Sequence, residues 1–226
     1  MDYRQELNRM ELFSDIAPQR LDDILIASQV TDFSGQTAIC RAGDPADEIF
    51  AVLDGQVQIY RGNDAKNAVL FVVRGGEVFG LRSALTTGFH TETAEAVSHC
   101  RVLRIPSSTF LAIVKSEPRF AGAVIHTLSE RLQSVSDQFE RIQLMPTHQR
   151  LADYLIHFAP GNGGAYEIRL PFEKKLIARY LGMGPESFSR AMKKLKGYGL
   201  SCKGRNVRIR DPETLRAICE GLDTSP

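Results

Sequence analysis

The residues of this 226-residue chain with the clearest chemistry lie near its C-terminal end, in PFEKKLIARYLGMGPESFSRAMKKLKGYGL. Read as a helix starting at Pro185 and running to about Lys196 or Tyr198, this stretch turns Glu186, Ser187, Ser189, Arg190, Lys193 and Lys194 outward. A glutamate at the tip of a cationic helix is out of place for binding phosphate. It makes sense as an acceptor for cytosine N4, with Arg190 one turn on donating to guanine O6 and N7. Lys193 and Lys194 then stand where backbone phosphates would be neutralised. The chemistry implied is the reading of base edges in double-stranded DNA.

Such a helix needs a scaffold. In a helix-turn-helix the first helix carries a small residue where the second crosses, then a turn glycine, then apolar residues on the inner face of the second helix. Ala178, Gly182 and Phe188 occupy those places, and Ile177, Leu181, Met183 and Ala191 fill the core between them. Pro185 suits a first helical turn. Downstream, Ser201-Cys202-Lys203, a turn at Gly204-Arg205-Asn206, and Val207-Arg208-Ile209 read as a hairpin wing, with Lys203 and Arg205 as further DNA contacts. A strand is expected at Tyr166–Leu170 and a helix through Leu151, Tyr154, Leu155 and Phe158. The charge agrees. Residues 145–226 hold 14 Lys/Arg against 8 Asp/Glu, whereas residues 1–144 hold 14 against 19. A basic C-terminal third on an acidic body points to a polyanionic partner.

Upstream, Pro118 to Met145 places Ile125, Leu128, Leu132, Val135, Phe139 and Ile142 at spacings of 3, 4, 3, 4 and 3. That is an a/d seam with a polar opposite face, the pattern by which two helices bury one stripe against each other. It predicts a dimerisation helix between two unlike domains. Before it, helical residues from Leu7 to Ser28, broken at Ala17-Pro18, give way to short apolar strands at Phe33, Ala38–Cys40, Ile49–Val52, Val57–Tyr60, Val69–Val73 and Val102–Ile105. Turn signals at Ser34-Gly35, Gly43-Asp44-Pro45, Asp54-Gly55, Gly62-Asn63-Asp64 and Gly75-Gly76 separate them, which implies an antiparallel β-roll. The fold class expected is α+β, with a sensing β-roll over residues 1–117, a dimerisation helix over 118–145 and a winged helix-turn-helix over 146–226.

In their order, Gly35, Gly43-Asp44, Phe50-x-Val52, Gly55-x-Val57-x-Ile59 and Gly76-Glu77-x-Phe79-Gly80 resemble the cyclic-nucleotide-binding β-roll. With the seam helix and the winged helix-turn-helix, nearly the whole chain resembles the CRP/FNR family of transcription regulators. Glu186-x-x-Ser189-Arg190 looks like the signature of the fumarate-nitrate-regulator branch, and Pro185–Arg190 is similar to the denitrification (nitric-oxide-responsive) regulators. The resemblance implies a homodimer on a palindrome of TTGAT-type half-sites, and a contact with RNA polymerase through the 159–164 loop if the protein activates.

The effector cassette departs from the family. Cyclic-AMP-binding relatives follow the Gly80 position with a glutamate for the ribose and later place an Arg-Ser pair on the cyclic phosphate. Here Leu81 follows Gly80, and Thr91-Glu92 stands at the pair. Leu81 cannot accept a hydrogen bond and Glu92 opposes an anion, so cyclic AMP is not expected. The residues set against an effector are Gly80, Leu81, Arg82 and Ser83, with Val135-Ser136 on the long helix, downstream of Arg131-Leu132-Gln133, which matches the family's helix. Arg82-Ser83 is read either as an anion site or as a surface arginine. The family's iron–sulfur sensor needs clustered N-terminal cysteines, and the first cysteine here is Cys40, so no cluster is expected. Its carbon-monoxide sensor has a histidine where this chain has Arg82. Haem stays open, with His90 or His126 as the axial ligand.

Other classes are less well supported. Cys40, Cys100, Cys202 and Cys219 form no CxxC, and no metal-ligand spacing, nucleophile motif or Gly-rich phosphate loop points to an enzyme. MDYRQELNRMELF has early acids and no apolar stretch, and no run of about 18 apolar residues occurs, so a cytoplasmic chain without a membrane span is expected. The rivals are a cyclic-nucleotide module with an altered cassette and a thiol redox sensor using Cys40 or Cys100. In the leading reading an effector shifts the helix register or a hinge near Leu144–His148 and so moves the recognition helices.

Overall fold

The structure, a computed structural model, describes residues 3–63, 66–158 and 164–222. It divides into two compact units, Met1–Val135 and Ser136–Pro226.

In the first unit, α1 (Tyr3–Asn8), a 3-10 turn (Glu11–Phe13) and α2 (Pro18–Ala27) precede the strands, and Pro18 opens α2 at the break the sequence predicts. Eight strands follow: β1 (Gln29–Phe33), β2 (Ala38–Cys40), β3 (Glu48–Asp54), β4 (Gln56–Asn63), β5 (Lys66–Arg74), β6 (Val78–Phe79), β7 (Thr93–Ala96) and β8 (Cys100–Pro106). The helix α3 (Leu81–Leu85) lies between β6 and β7. The strands form two antiparallel sheets ordered β1-β8-β3-β6 and β2-β7-β4-β5. Successive side chains of a strand face opposite ways, and β3 shows the result. Phe50 and Val52 join Val57, Ile59, Val73 and Val102 in the core shared by the two sheets. Ile49 and Ala51 join Leu7, Phe13, Leu21, Ile24 and Phe110 in a second core under the helices. The roll is thus covered on one side by α1, α2 and α4 (Ser107–Ser116).

Turn geometry mostly follows the glycines. Gly55 has φ +90, and a Cβ there would stand 2.5 Å from the Cβ of Cys100, so no side chain fits. The first turn differs from expectation: Gln36, not Gly35, takes the left-handed conformation, at φ 65. Two elements had no signal. β7 reads TAEA, with poor strand propensity, yet it lies between β2 and β4 and is held by both ladders. α4 is anchored by the buried Ser107, whose hydroxyl donates to the Ala46 carbonyl at 2.7 Å.

The long helix α5 (Pro118–Leu144) runs unbroken across the boundary between the units. Its first turns bury Phe120 and Val124 in the helix-side core of the first unit. Its last turns belong to the second. Gln138 Nε2 donates to the Tyr180 carbonyl at 2.6 Å, and Arg141 meets Asp153 at 3.3 Å. The seam residues Ile125, Leu132, Val135, Phe139 and Ile142 are exposed, from 40% to 69%.

The second unit continues with α6 (Thr147–Ile156), β9 (Tyr166–Arg169), α7 (Lys174–Tyr180), α8 (Pro185–Gly197), β10 (Leu200–Lys203), β11 (Asn206–Ile209) and α9 (Pro212–Cys219). β10, β11 and β9 form a three-stranded antiparallel sheet. α6 packs on α8 and α9. No helix among the described residues is long and apolar enough to cross a membrane.

Candidate functional site

α8 begins as its sequence dictates. Gly184 stands in extended conformation at the cap, Pro185 takes the first turn, and Glu186 places an acid against the positive end of the helix. Phe188, Ala191, Met192 and Leu195 are buried on its inner face. The opposite face leaves Glu186, Ser189, Arg190, Lys193 and Lys194 exposed, with Ser187 half-buried at the edge. The turn before it depends on Gly182, at φ +64, where a Cβ would come within 3.1 Å of Ile142 and 3.2 Å of Arg150.

Two of the expected cations are engaged elsewhere. Arg205 donates from Nε and Nη2 to the Leu170 carbonyl, at 3.0 and 2.6 Å, and from Nη2 to Pro171 at 2.6 Å. Its fork fastens the wing to the chain after β9, and Lys203 is exposed beside the wing turn. Lys194 Nζ donates to Nε2 of His148 at 3.0 Å, which ties α8 to the start of α6. Arg150, one of the basic residues of this third, is buried and donates from Nη1 to the Leu181 carbonyl at 2.6 Å. Burial lowers its pKa below the usual arginine value, and a cation there complements the negative C-terminal end of α7. With Gln138 on Tyr180, two side chains from outside the helix-turn-helix hold the end of its first helix. Sequence reading missed both, because neither position differs in type from a surface residue. The 159–163 part of the loop expected to meet RNA polymerase lies outside the described residues.

The effector cassette is organised around Glu92. Gly80, at φ 89, turns the chain into α3. Leu81 and Ser83 are buried, and Leu81 packs into the helix-side core and so does not line a ligand site. Arg82 remains on the surface and pairs with Glu92 at 2.5 Å while also donating to Thr91 Oγ1. Arg61, which the sequence did not single out, reaches the same carboxylate at 3.0 Å. Burial alone would raise the Glu92 pKa, but hydrogen bonds from Arg82 and Thr91 and the charges of Arg82 and Arg61 hold it below the usual carboxylate value. Glu92 therefore satisfies both arginines that could otherwise hold an anion. The Arg131 guanidinium lies 4.2 Å from the Phe71 ring centroid and its Nη2 donates to the Val78 carbonyl at 3.4 Å, which ties α5 to the strands of the roll. Val135 and Ser136 are exposed, and the unit boundary falls between them.

Neither histidine presents an open axial position for haem. His126 is exposed and pairs with Glu11 at 3.4 Å, a polar setting without the apolar wall a haem needs. His90 is 5% exposed, with its ring centroid 6.0 Å from that of Phe50, which itself stacks on Phe79 at 4.7 Å. Its backbone is bonded on both sides, to Asp44 and Gly43, and burial lowers its pKa. Neither His90 nor His126, as placed, fits an axial haem ligand. The thiols fit a redox sensor no better: burial pushes Cys40 up to about 12 and Cys100 up to about 11, away from the thiolate such chemistry needs.

Comparison with known proteins matches both halves of this architecture. Residues 30–117 match the cyclic nucleotide-binding domain and residues 149–218 the Crp-like helix-turn-helix domain. The nitrogen fixation regulation protein FixK of Rhizobium meliloti is 30% identical over 184 residues, which span 78% of this chain and 81% of FixK. The chain belongs to the CRP/FNR family of transcription regulators. Another CRP/FNR relative, the CRP-like cAMP-activated global transcriptional regulator of Mycobacterium tuberculosis, is 21% identical over 215 residues, 92% of this chain and 96% of its own. Among solved structures, DNR from Pseudomonas aeruginosa superposes with a TM-score of 0.52 at 28% identity, covering 96% of this chain and 97% of DNR. The matched domains and relatives of this CRP/FNR chain are those of DNA-binding regulators, not enzymes.

Proposed function

We propose that this CRP/FNR-family chain works as a homodimer that reads a palindrome with α8 and answers to a small effector other than cyclic AMP. The observation that carries the reading is the exposed row Glu186, Ser189, Arg190 and Lys193 on a helix whose opposite face is fully packed. Glu186 accepts from a cytosine and Arg190 donates to a guanine within TTGAT-like half-sites of the FNR/DNR branch, while Lys193 and Lys203 meet phosphates. Two copies pair through the seam of α5, and their half-sites lie one DNA turn apart, about 34 Å.

The effector lacks a cyclic phosphate, because Glu92 already occupies Arg82 and Arg61 and Leu81 is buried in the core. An effector that shifts the register of α5 would carry the helix-turn-helix unit with it. Gln138, Arg141 and Ile142 tie the last turns of α5 to the helix-turn-helix unit, so these move with it. A coupling of about 1–3 kcal/mol between effector and DNA would make a useful switch.

The test is fluorescence anisotropy on a TTGAT palindrome and on versions altered at single half-site positions, with and without cyclic AMP. Tight binding to the palindrome, lost on half-site changes and indifferent to cyclic AMP, is expected. Equal affinity for all sequences would refute base reading, and tightening by cyclic AMP would refute the effector reading. An absorption spectrum after adding haem belongs beside it: a stoichiometric Soret band lost in His90→Ala would replace this reading with haem sensing.

A further inference from the structure

Glu11, His126 and Glu130 belong neither to the recognition face nor to the effector cassette. Glu11 opens the 3-10 turn, and His126 and Glu130 are four residues apart on α5, so one helical turn brings them over the same patch. One ligand atom from each lies within 4.8 Å of the others. His126 Nδ1 is 3.4 Å from Glu11 Oε1 and 4.0 Å from Glu130 Oε2.

Two further observations give this group meaning. The elements that carry it are locked together underneath. Leu12 and Phe13 are buried, and Phe13 stacks on Phe120 of α5 at 5.9 Å, with Phe110 edge-on to Phe120 at 5.1 Å. The position of Glu11 over α5 is therefore set by the core and not by its own exposed side chain. The charge is also unbalanced. Among the described residues neither Glu11 nor Glu130 pairs with a lysine or arginine, and His126 is the partner of both.

We propose that Glu11, His126 and Glu130 bind a divalent transition-metal ion of the zinc class. The donor set decides the class: an imidazole nitrogen with two carboxylates suits Zn²⁺ and its first-row neighbours better than Ca²⁺ or Mg²⁺, which take oxygen alone. Zinc bonds of about 2.0–2.2 Å in a tetrahedron place ligand atoms roughly 3.4 Å apart. The His126–Glu11 separation already meets that, and Glu130 closes by rotation of an exposed side chain. Three protein ligands leave a position for water. Because His126 follows Ile125 and Glu130 precedes Leu132 by two residues, the ion would sit on the flank of the seam and pin the N-terminal turn to the helix that carries it.

The experiment is calorimetric titration of the chelator-treated full chain with Zn²⁺, and titration with Co²⁺ followed by its visible absorption. One ion per chain is expected, weakened at least tenfold in His126→Ala and in Glu11→Gln. Both side chains are exposed, so these variants keep the fold, which circular dichroism checks. A Cys202→Ser/Cys219→Ser variant should bind as the parent does, excluding the more accessible thiols as the donors. Absence of binding, or binding unchanged in His126→Ala and Glu11→Gln, would overturn the proposal.

Discussion

Leu132→Ala tests the seam most directly. Leu132 is 69% exposed in the single chain, so the substitution removes little from the folded monomer. In a symmetric pair it would be covered. Alanine lacks three of leucine's carbons, worth about 0.8 kcal/mol each when buried. Scaled by the 69% still open, the loss is about 1.7 kcal/mol per copy. Two copies meet in a twofold dimer, so about 3.4 kcal/mol is lost, a roughly 270-fold rise in the dissociation constant. Sedimentation equilibrium across a concentration series reads that constant, and chemical unfolding of the dilute monomer provides the control. Phe139→Ala, at a site 61% exposed, should act in the same direction. A parent chain that stays monomeric at concentrations where it binds DNA, or a variant that dimerises as tightly as the parent, would refute the seam argument.

The remaining predictions concern single side chains. Arg190→Ala should cost about 1–3 kcal/mol and relax preference at one base pair, whereas Lys193→Ala should weaken all sequences alike and lower the salt slope by about one, both read by anisotropy across salt concentrations. Alkylation of the native protein at pH 8 followed by mass spectrometry should label Cys202 well before Cys40 and Cys100, because burial holds those two thiols at about 12 and about 11. His90 contributes a pH dependence. Its folded pKa lies below the ordinary 6.5, so the unfolded chain binds the extra proton as pH falls. Stability at this site is therefore intact above about pH 6.5 and falls as acidity increases toward the folded pKa. Urea unfolding at pH 7.5 and 5.5 should show a smaller loss in His90→Gln than in the parent; an equal loss would place the pH dependence elsewhere.

Much of the architecture is legible in local pattern. The seam of α5, the packed face of α8 and the glycine at 182 each follow from a period or from one conformational demand, and these act over a few residues. The alternation in β3 likewise separates two cores without outside information. β7 and α4 were not legible, because TAEA and SSTFLAIVKS take their state from neighbours distant in sequence.

Residue type and spacing alone therefore determine that this chain has a strand-built domain, a long helix with an apolar seam and a helix-turn-helix. A folding chain cannot avoid burying its periodic apolar faces, so their pattern is a strong constraint. What each charge does was decided only by the tertiary structure. Arg82, Arg150, Arg190 and Arg205 look alike as letters, yet one is paired with Glu92, one is buried on the Leu181 carbonyl, one is exposed on α8 and one fastens the wing. The same holds for Glu92 and His126, whose partners include residues as far as 31 and 115 positions away. Long flexible side chains find whatever acceptor the fold brings near, and that neighbour is set by packing elsewhere in the chain.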